Sequence, residues 1–522
     1  MSILLATLFA FVVSYIVFKV LIWVWWKPKN LEKCLRKQGI DGTPYKILFG
    51  DVMEFSSTTE QAQSTPMNLS HSITHRVVPF PLRIIQRHGP ISYTWNGVVP
   101  RVTIMEPELV KEVLSNKSSS FTKIENHPLV KLLANGLASH EGEKWAKHRR
   151  IANPAFHFEK MKVMVPAILA SCVDFVDKLE KLGVSSNNGT FELDVWPEIQ
   201  KLTVDIISRT AFGSSYEEGL RVFQLQTELA KLLHKVLPFL FIPGFRFFPT
   251  REVRKMKEID RELRTLLKDI IIRKRESIGN NKDGEVHKDD LLGLMLDSNQ
   301  KHIQDNNNSK KVGMSIEDVI EECKLFYIAG QGTTASLLVW TMVALSMHPE
   351  WQAQAREEVL SLFGSNNPNF DGLSHLKIVN MILYEVLRLY PPVVLLSRYN
   401  SKEIKLGNLT LPPGVEIAVP TILVHHDREL WGDDAEEFNP KRFSNGISKA
   451  TNNRVSFFPF GWGPRICIGQ TFAIIEAKMA VAMILQHFSF ELSPTYAHAP
   501  YNAQDLEDLQ PQYGAHIIFH KL

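Results

Sequence analysis

From Ser2 to Trp26 the chain is apolar, with Lys19 as its one charge. A run of ~20 apolar residues spans a bilayer, and a lysine near its end can snorkel to the headgroups. The pattern predicts one transmembrane helix over residues 1–26, with Trp23, Trp25 and Trp26 at the depth of an aromatic interface belt. Lys27, Lys29, Lys33, Arg36 and Lys37 follow at once. Cations on that flank alone place the N-terminus in the lumen and everything after Lys27 in the cytosol. A cleaved signal peptide would carry a basic stretch before the apolar run and a small-residue cleavage site after it, and this segment has neither. Residues 27–50 read as a basic, polar linker.

Beyond the linker the periodicity is mostly helical, with no repeat and no second block of composition. Residues 51–522 therefore read as one large domain, mainly α with small β-sheets. Ser315 and Asp318 form a capping-box signal ahead of a long apolar face. They predict a helix from about Ser315 to Met347, ~30 residues or about 45 Å, long enough to cross the whole domain. Pro349 begins the next helix. A second helix is expected from Ser374, a candidate N-cap, to Tyr390, stopped by Pro391 and Pro392. A third begins near Cys467 and continues through Phe472–Gln486. Strand patterns are shorter: Arg101–Met105, Glu416–Pro420 and Ala515–Phe519. Two polar runs, Arg273–Asp290 and Asp297–Gly313, read as flexible surface connections.

Composition narrows the function. With 44% hydrophobic and 22% charged residues the chain is a folded globular protein. Its 59 basic and 56 acidic residues argue against a nucleic-acid partner. Cys34, Cys172, Cys323 and Cys467 are widely spaced and form no C-x-x-C, which excludes a disulfide scaffold and a zinc ribbon. A cytosolic body keeps them reduced. It also makes the glycosylation matches at Asn68, Asn116, Asn188, Asn307 and Asn408 coincidental.

The chemistry concentrates in Phe460-Gly-Trp-Gly463-Pro-Arg465-Ile-Cys467-Ile-Gly469. Cys467 lies at the start of a helical pattern, where unpaired backbone N–H groups lower a thiol pKa. Gly463 and Gly469 let the backbone approach a flat ligand closely, and Arg465 can pair with an anionic group on it. A lone cysteine in a glycine-rich turn would be read as structural. Five fixed positions within ten residues decide for a ligand.

This segment resembles the haem-binding signature F-x-x-G-x-R-x-C-x-G of the cytochromes P450. Other landmarks follow in order. Glu385-Val-Leu-Arg388 resembles the E-x-x-R motif, and Phe438-Asn-Pro440-Lys441-Arg442-Phe443 resembles the PERF segment, with Lys441 where Glu is common. The resemblance implies a buried charged triad of Glu385, Arg388 and Arg442. Trp145-Ala-Lys-His-Arg149 resembles W-x-x-x-R, and its i,i+4 spacing puts both side chains on one face, within reach of a haem propionate. Arg398, after Pro391 and Pro392, matches another propionate-binding arginine. Long stretches, Asn153–His157, Arg209–Glu218 and Leu423–Asp433, are similar to one plant P450 family that includes secologanin synthase and triterpenoid oxidases. The resemblance covers essentially the whole chain.

The resemblance implies the P450 fold, haem b with its iron on Cys467, and insertion of one oxygen atom from O2 into an apolar, terpenoid-type molecule. It further implies electrons from NADPH-cytochrome P450 reductase, a single-pass endoplasmic reticulum anchor in contact with lipid, and a monomer. Lys144, Lys147 and Arg150 are candidates for docking the reductase, or form an ordinary solvated face. Substrate contacts are expected from Lys123–Gly136, Phe223–Phe248, Ala329–Thr334 and Val393–Leu396.

Two departures stand out. The long helix carries Ala329-Gly330-Gln-Gly332-Thr333-Thr334 against a family pattern A-G-x-(D/E)-T-T. Thr333 would help deliver protons to dioxygen, with Ala329 and Gly330 beside the haem, but the neighbouring acid is Gly332. Slow, leaky turnover is the expectation, relieved by Gly332→Glu. The same loss favours two other classes: an isomerase or dehydratase that uses no O2, or a haem-binding protein without turnover. The second departure is Tyr501-Asn-Ala-Gln-Asp505-Leu-Glu507-Asp508-Leu, longer and more acidic than the usual apolar strand. Either it changes the pocket wall or it loops outward.

Overall fold

The computed structural model describes residues 2–115, 120–123, 127–184, 189–213, 216–240, 244–248, 250–280, 290–305, 313–503 and 508–522. The expected capping box opens its longest helix. Ser315 Oγ accepts the Asp318 N–H at 3.1 Å, and the Asp318 carboxylate accepts the Ser315 N–H at 3.0 Å. Two orphan donors of the first turn are thereby satisfied. The helix, Ile316–Met347, is buried almost continuously from Thr334 to Leu345. It is apolar enough to cross a membrane, but 78% of its apolar window is buried within the protein. It is the domain's central post. Helices Val195–Ile207, Lys377–Leu389 and Gln470–His487 pack against it.

A six-stranded sheet lies to one side, in the order Asp41–Gly42, Ile91–Asn96, Val99–Ile104, Val415–Val419, Leu396–Asn400, Phe121–Thr122. Arg101 pairs in parallel with Glu416, and Arg398 pairs antiparallel with Ile417. Phe488–Leu492, His516–Lys521 and Thr190–Asp194 form a second sheet. Pro500–Ala503 and Asp508–Pro511 make a hairpin with Ala503 opposite Asp508. The three expected strands are thus present within one or two residues of their expected bounds.

At the N-terminus, Ser2–Leu21 is a helix whose apolar window has no burial at all. A π-helical turn, Ile22–Trp26, carries it straight into a further helix, Lys27–Lys37. The expected basic, polar linker over 27–50 is, over residues 27–37, this helix. Leu31 and Leu35 stand one turn apart and are buried against the domain, so an amphipathic helix has been read as merely basic. Tyr45 Oη donates to the Val24 carbonyl at 2.5 Å, and Asp41–Gly42 joins the sheet. The body starts at the foot of the anchor.

Three other expectations change. Ser374 is not an N-cap: it lies in a short helix, Phe370–His375, and its hydroxyl donates to the Asp371 carbonyl. The next helix starts at Lys377, and its first N–H groups are capped by Glu358 from another helix: Lys377 N 2.7, Ile378 N 2.8 and Val379 N 3.0 Å. The polar runs are helical over much of their length, since Arg251–Asn280 and Leu291–Asp305 extend into them. Their remaining parts, 281–289 and 306–312, lie outside the described residues. So do Asn116, Asn188, Asn307, Asp505, Glu507 and positions 124–126, 214–215 and 241–243 of the stretches named above.

Candidate active site

Cys467 sits on a tight loop just before the helix Gln470–His487. Its N–H donates to the Phe460 carbonyl at 2.8 Å, which closes the loop. Gly463, at φ +70°, permits the turn, and a Cβ there would lie 2.7 Å from the Leu114 carbonyl. Its glycine is thus required by the chain crossing behind it, a correction to the expected approach to a ligand. At Gly469 a Cβ would make only ordinary contacts, 3.9 Å from Cys467 Sγ and from Phe156. We predict that Gly463→Ala, strained by roughly 1–3 kcal/mol in this backbone region, lowers thermal stability and haem retention, whereas Gly469→Ala in protein free of haem leaves stability nearly unchanged.

The Cys467 side chain has accessible surface, yet protein surrounds it, as expected for a side chain lining an internal space. Burial pushes its thiol above the ordinary value. The N–H groups of Gly469 and Gln470 and the Arg149 guanidinium oppose that shift. Three donors of positive potential thus await a sulfur anion, which a coordinated metal would itself complete. Midway along the central helix, Ala329 is exposed and Gly330 and Thr333 are half-buried. Phe156 spans the two walls: it lies beside Gly469 and packs edge-on against Phe326, 5.7 Å away, one turn before Ala329. A Cβ on Gly330 would meet Ile207 Cδ1 at 2.8 Å, so that glycine is explained by a close helix–helix crossing.

The cations around this space are arranged differently from expectation. Arg465 pairs with Glu141 at 2.6 Å, donates to the His140 carbonyl at 2.8 Å and stacks 4.2 Å above the Trp145 ring. Arg149 turns back to the cysteine loop, donating to the Ile466 carbonyl and to Asn153 Oδ1, both at 2.8 Å. Trp145 and Arg149 thus brace the loop. Arg398 is the outlier. It is 5% exposed, and among the described residues its guanidinium makes one hydrogen bond, to the neighbouring Ser397 carbonyl at 2.9 Å, and pairs with no carboxylate. Burial, with Arg465 nearby, pushes it down to about 10. A buried guanidinium in this state calls for an anion. Together with the thiol, this donor set fits a haem: a sulfur that would ligate the iron and a cation that would hold a propionate.

Behind the loop the charged triad is present. Glu385 and Arg388 are fully buried and pair through two bonds, 2.7 and 2.9 Å. Arg388 also donates to the carbonyls of His425, Ala435 and Glu437, and Glu385 accepts the Asn439 N–H at 3.0 Å. Arg442 stands 3.6 Å from Glu385 but bonds chiefly to Asp434, at 2.8 and 3.1 Å. His425 accepts the Phe458 N–H, which ties this network to the segment entering the cysteine loop.

Several functional neighbours escaped sequence reasoning. The helix Gly142–Ala152 is clamped to the central helix by His148 on Glu322 at 2.6 Å and Lys144 on Asp318 at 2.9 Å. Lys147 donates to the Gly313 carbonyl. Of the three cations expected to form a docking face, two are therefore held by the protein's own groups. Thr333 Oγ1 donates to the Ala329 carbonyl at 2.7 Å, and Thr334 is buried.

A family model described as Cytochrome P450 matches residues 72–517. Cytochrome P450 CYP72A616 of Paris polyphylla is 54% identical over 99% of this chain and 98% of its own length. Cytochrome P450 72A397 of Kalopanax septemlobus is 56% identical over 97% and 95%, and Cytochrome P450 72A15 of Arabidopsis thaliana 53% over 98% and 97%. The chain belongs to the cytochrome P450 family, within its plant 72A group. It is a haem-thiolate monooxygenase, with an N-terminal apolar helix suited to a membrane anchor.

Proposed function

We propose that Cys467 is the iron ligand, that Arg398 holds a haem propionate, and that the enzyme oxidises an apolar terpenoid on the endoplasmic reticulum membrane. The observation that carries this reading is the Cys467 thiol, internally accessible and faced by N–H groups, with Phe156 bridging from Gly469 to Phe326 on the central helix, one turn before the accessible Ala329. When bound, haem activates dioxygen, and thiolate donation favours O–O cleavage. The chain's own groups do the rest. Arg465, stacked on Trp145, and Arg149 hold the loop beside the sulfur, while Phe460 closes it. Gly469 leaves the sulfur's flank uncrowded. Thr333, its proton engaged by Ala329, offers lone pairs to a proton-bearing water. Ala329 and Gly330 shape that wall.

The balance is R–H + O2 + NADPH + H⁺ → R–OH + H2O + NADP⁺, with electrons from NADPH-cytochrome P450 reductase. Val394, buried, and Leu395 and Leu396, partly buried, lead to Arg398 and provide an apolar wall for the substrate. Residues 1–26 form the anchor. The exposed Phe239, Phe247 and Phe248 add a second apolar surface for lipid. The test is a product screen in microsomes carrying this chain and reductase, against a panel of terpenoids. Oxygenated products that need both NADPH and O2 are expected. A normal carbon monoxide spectrum with no product across the panel would refute the terpenoid assignment.

A further inference from the structure

Positions 332, 336 and 340 lie on one face of the central helix, four residues apart. That face meets the C-terminal hairpin. Ser336 Oγ and Trp340 Nε1 both donate to the Leu509 carbonyl, at 2.5 and 3.0 Å, and the Leu509 N–H donates to the Pro392 carbonyl at 3.0 Å. These three bonds fix the strand one residue from Asp508. The Asp508 side chain, 2% exposed, then lies over Gly332. A Cβ at 332 would stand 2.6 Å from Asp508 Oδ2 and 3.6 Å from its Cγ, with nothing else from another element within 4 Å among the described residues. The carboxylate fills the volume that a side chain at 332 would take. Its other oxygen accepts Gln510 Nε2 at 2.6 Å.

We propose that Asp508 is the proton-positioning residue of this site. The carboxyl absent from position 332 of the helix is supplied from the hairpin, against the turn that carries Thr333. Aspartate is disfavoured in strands, and a buried carboxylate is costly to desolvate. The Gln510 bond does not itself require a carboxylate, since a neutral amide oxygen could accept it. A site that consumes protons, by contrast, needs a group that can give one up and regain it from solvent. Asp508 takes a proton from the solvent side and passes it, through water held by Thr333, to dioxygen. Each product molecule requires one such proton beyond that released by NADPH. Asp508, the described end of the acidic segment, packs inward on the helix. The expected benefit of Gly332→Glu is reversed, because a second carboxylate would enter the space of the first. G332E should reduce haem-loaded protein.

This inference rests on the haem site proposed above, and the test separates the two. The chain is purified with haem and compared with D508N, D508E and the relocated pair G332D/D508G. Carbon monoxide is the first probe. Infrared difference spectra on its photolysis should show a carboxyl band in the wild type that shifts in D2O and is lost in D508N. The second measurement is O2 consumption with NADPH and reductase. D508N should slow it about 10²-fold and enlarge the solvent isotope effect, while D508E and the relocated pair recover part of the rate. A D508N protein that loads haem normally and matches the wild type in rate and isotope effect overturns the proposal. Should D508N fail to load haem, the wild-type spectrum decides: no deuterium-sensitive carboxyl band overturns it. Absence of a thiolate-type carbon monoxide spectrum in the wild type would instead refute the Cys467 site.

Discussion

Cys467→Ser is expected to abolish the thiolate-type carbon monoxide spectrum and to leave little haem bound. The substitution changes one atom, so packing of the loop is almost untouched. What changes is charge: a serine hydroxyl does not ionise in this setting, whereas a thiol whose neighbours are the N–H groups of Gly469 and Gln470 and the Arg149 guanidinium does so when a metal arrives. The checks are the carbon monoxide difference spectrum and haem content per chain. A serine variant with the wild-type spectrum would remove Cys467 as ligand.

Glu385→Ala is expected to cost about 3–5 kcal/mol, the usual result of removing one partner from a buried ion pair. Arg388 would keep its three carbonyl acceptors but lose both carboxylate bonds, at 0% exposure. The Asn439 N–H would lose its acceptor. Because His425 and Phe458 link this network to the cysteine loop, the loss should appear as poor haem-loaded yield as well as a lower denaturation midpoint. Arg442→Ala should be milder for Glu385, since Arg442 is 3.6 Å from it and is engaged mainly by Asp434. Normal yield and midpoint in Glu385→Ala would show the triad to be dispensable.

What the sequence disclosed was what is local. The Ser315–Asp318 capping box, the apolar anchor and the helix after Cys467 each rest on residues within a turn or two of one another, and each stands in the structure. What it concealed was what folding brings from afar. Glu358 caps a helix that begins 19 residues later, so Ser374 was the wrong choice by a purely local rule. Glu141 takes the Arg465 guanidinium, and His148 reaches Glu322 across 174 residues. Helix Lys27–Lys37 was legible in the spacing of Leu31 and Leu35, but its charge masked that pattern. Gly332 shows the limit most clearly. Read along the helix it is a missing acid. In space it is the gap into which Asp508 fits, and no pattern within either segment announces the pairing.

Insertion of one atom of O2 at a Cys467-bound haem fixes where the oxygen in the product comes from. The most direct measurement is isotopic: the purified protein, reductase and NADPH under ¹⁸O2, with a substrate returned by the terpenoid screen. One labelled atom per product molecule, none from water, with one NADPH consumed for each coupled turnover, is the predicted result. Product that forms at full rate without O2 or NADPH, or that carries oxygen only from water, would contradict it and identify the chain as a haem-thiolate isomerase or dehydratase.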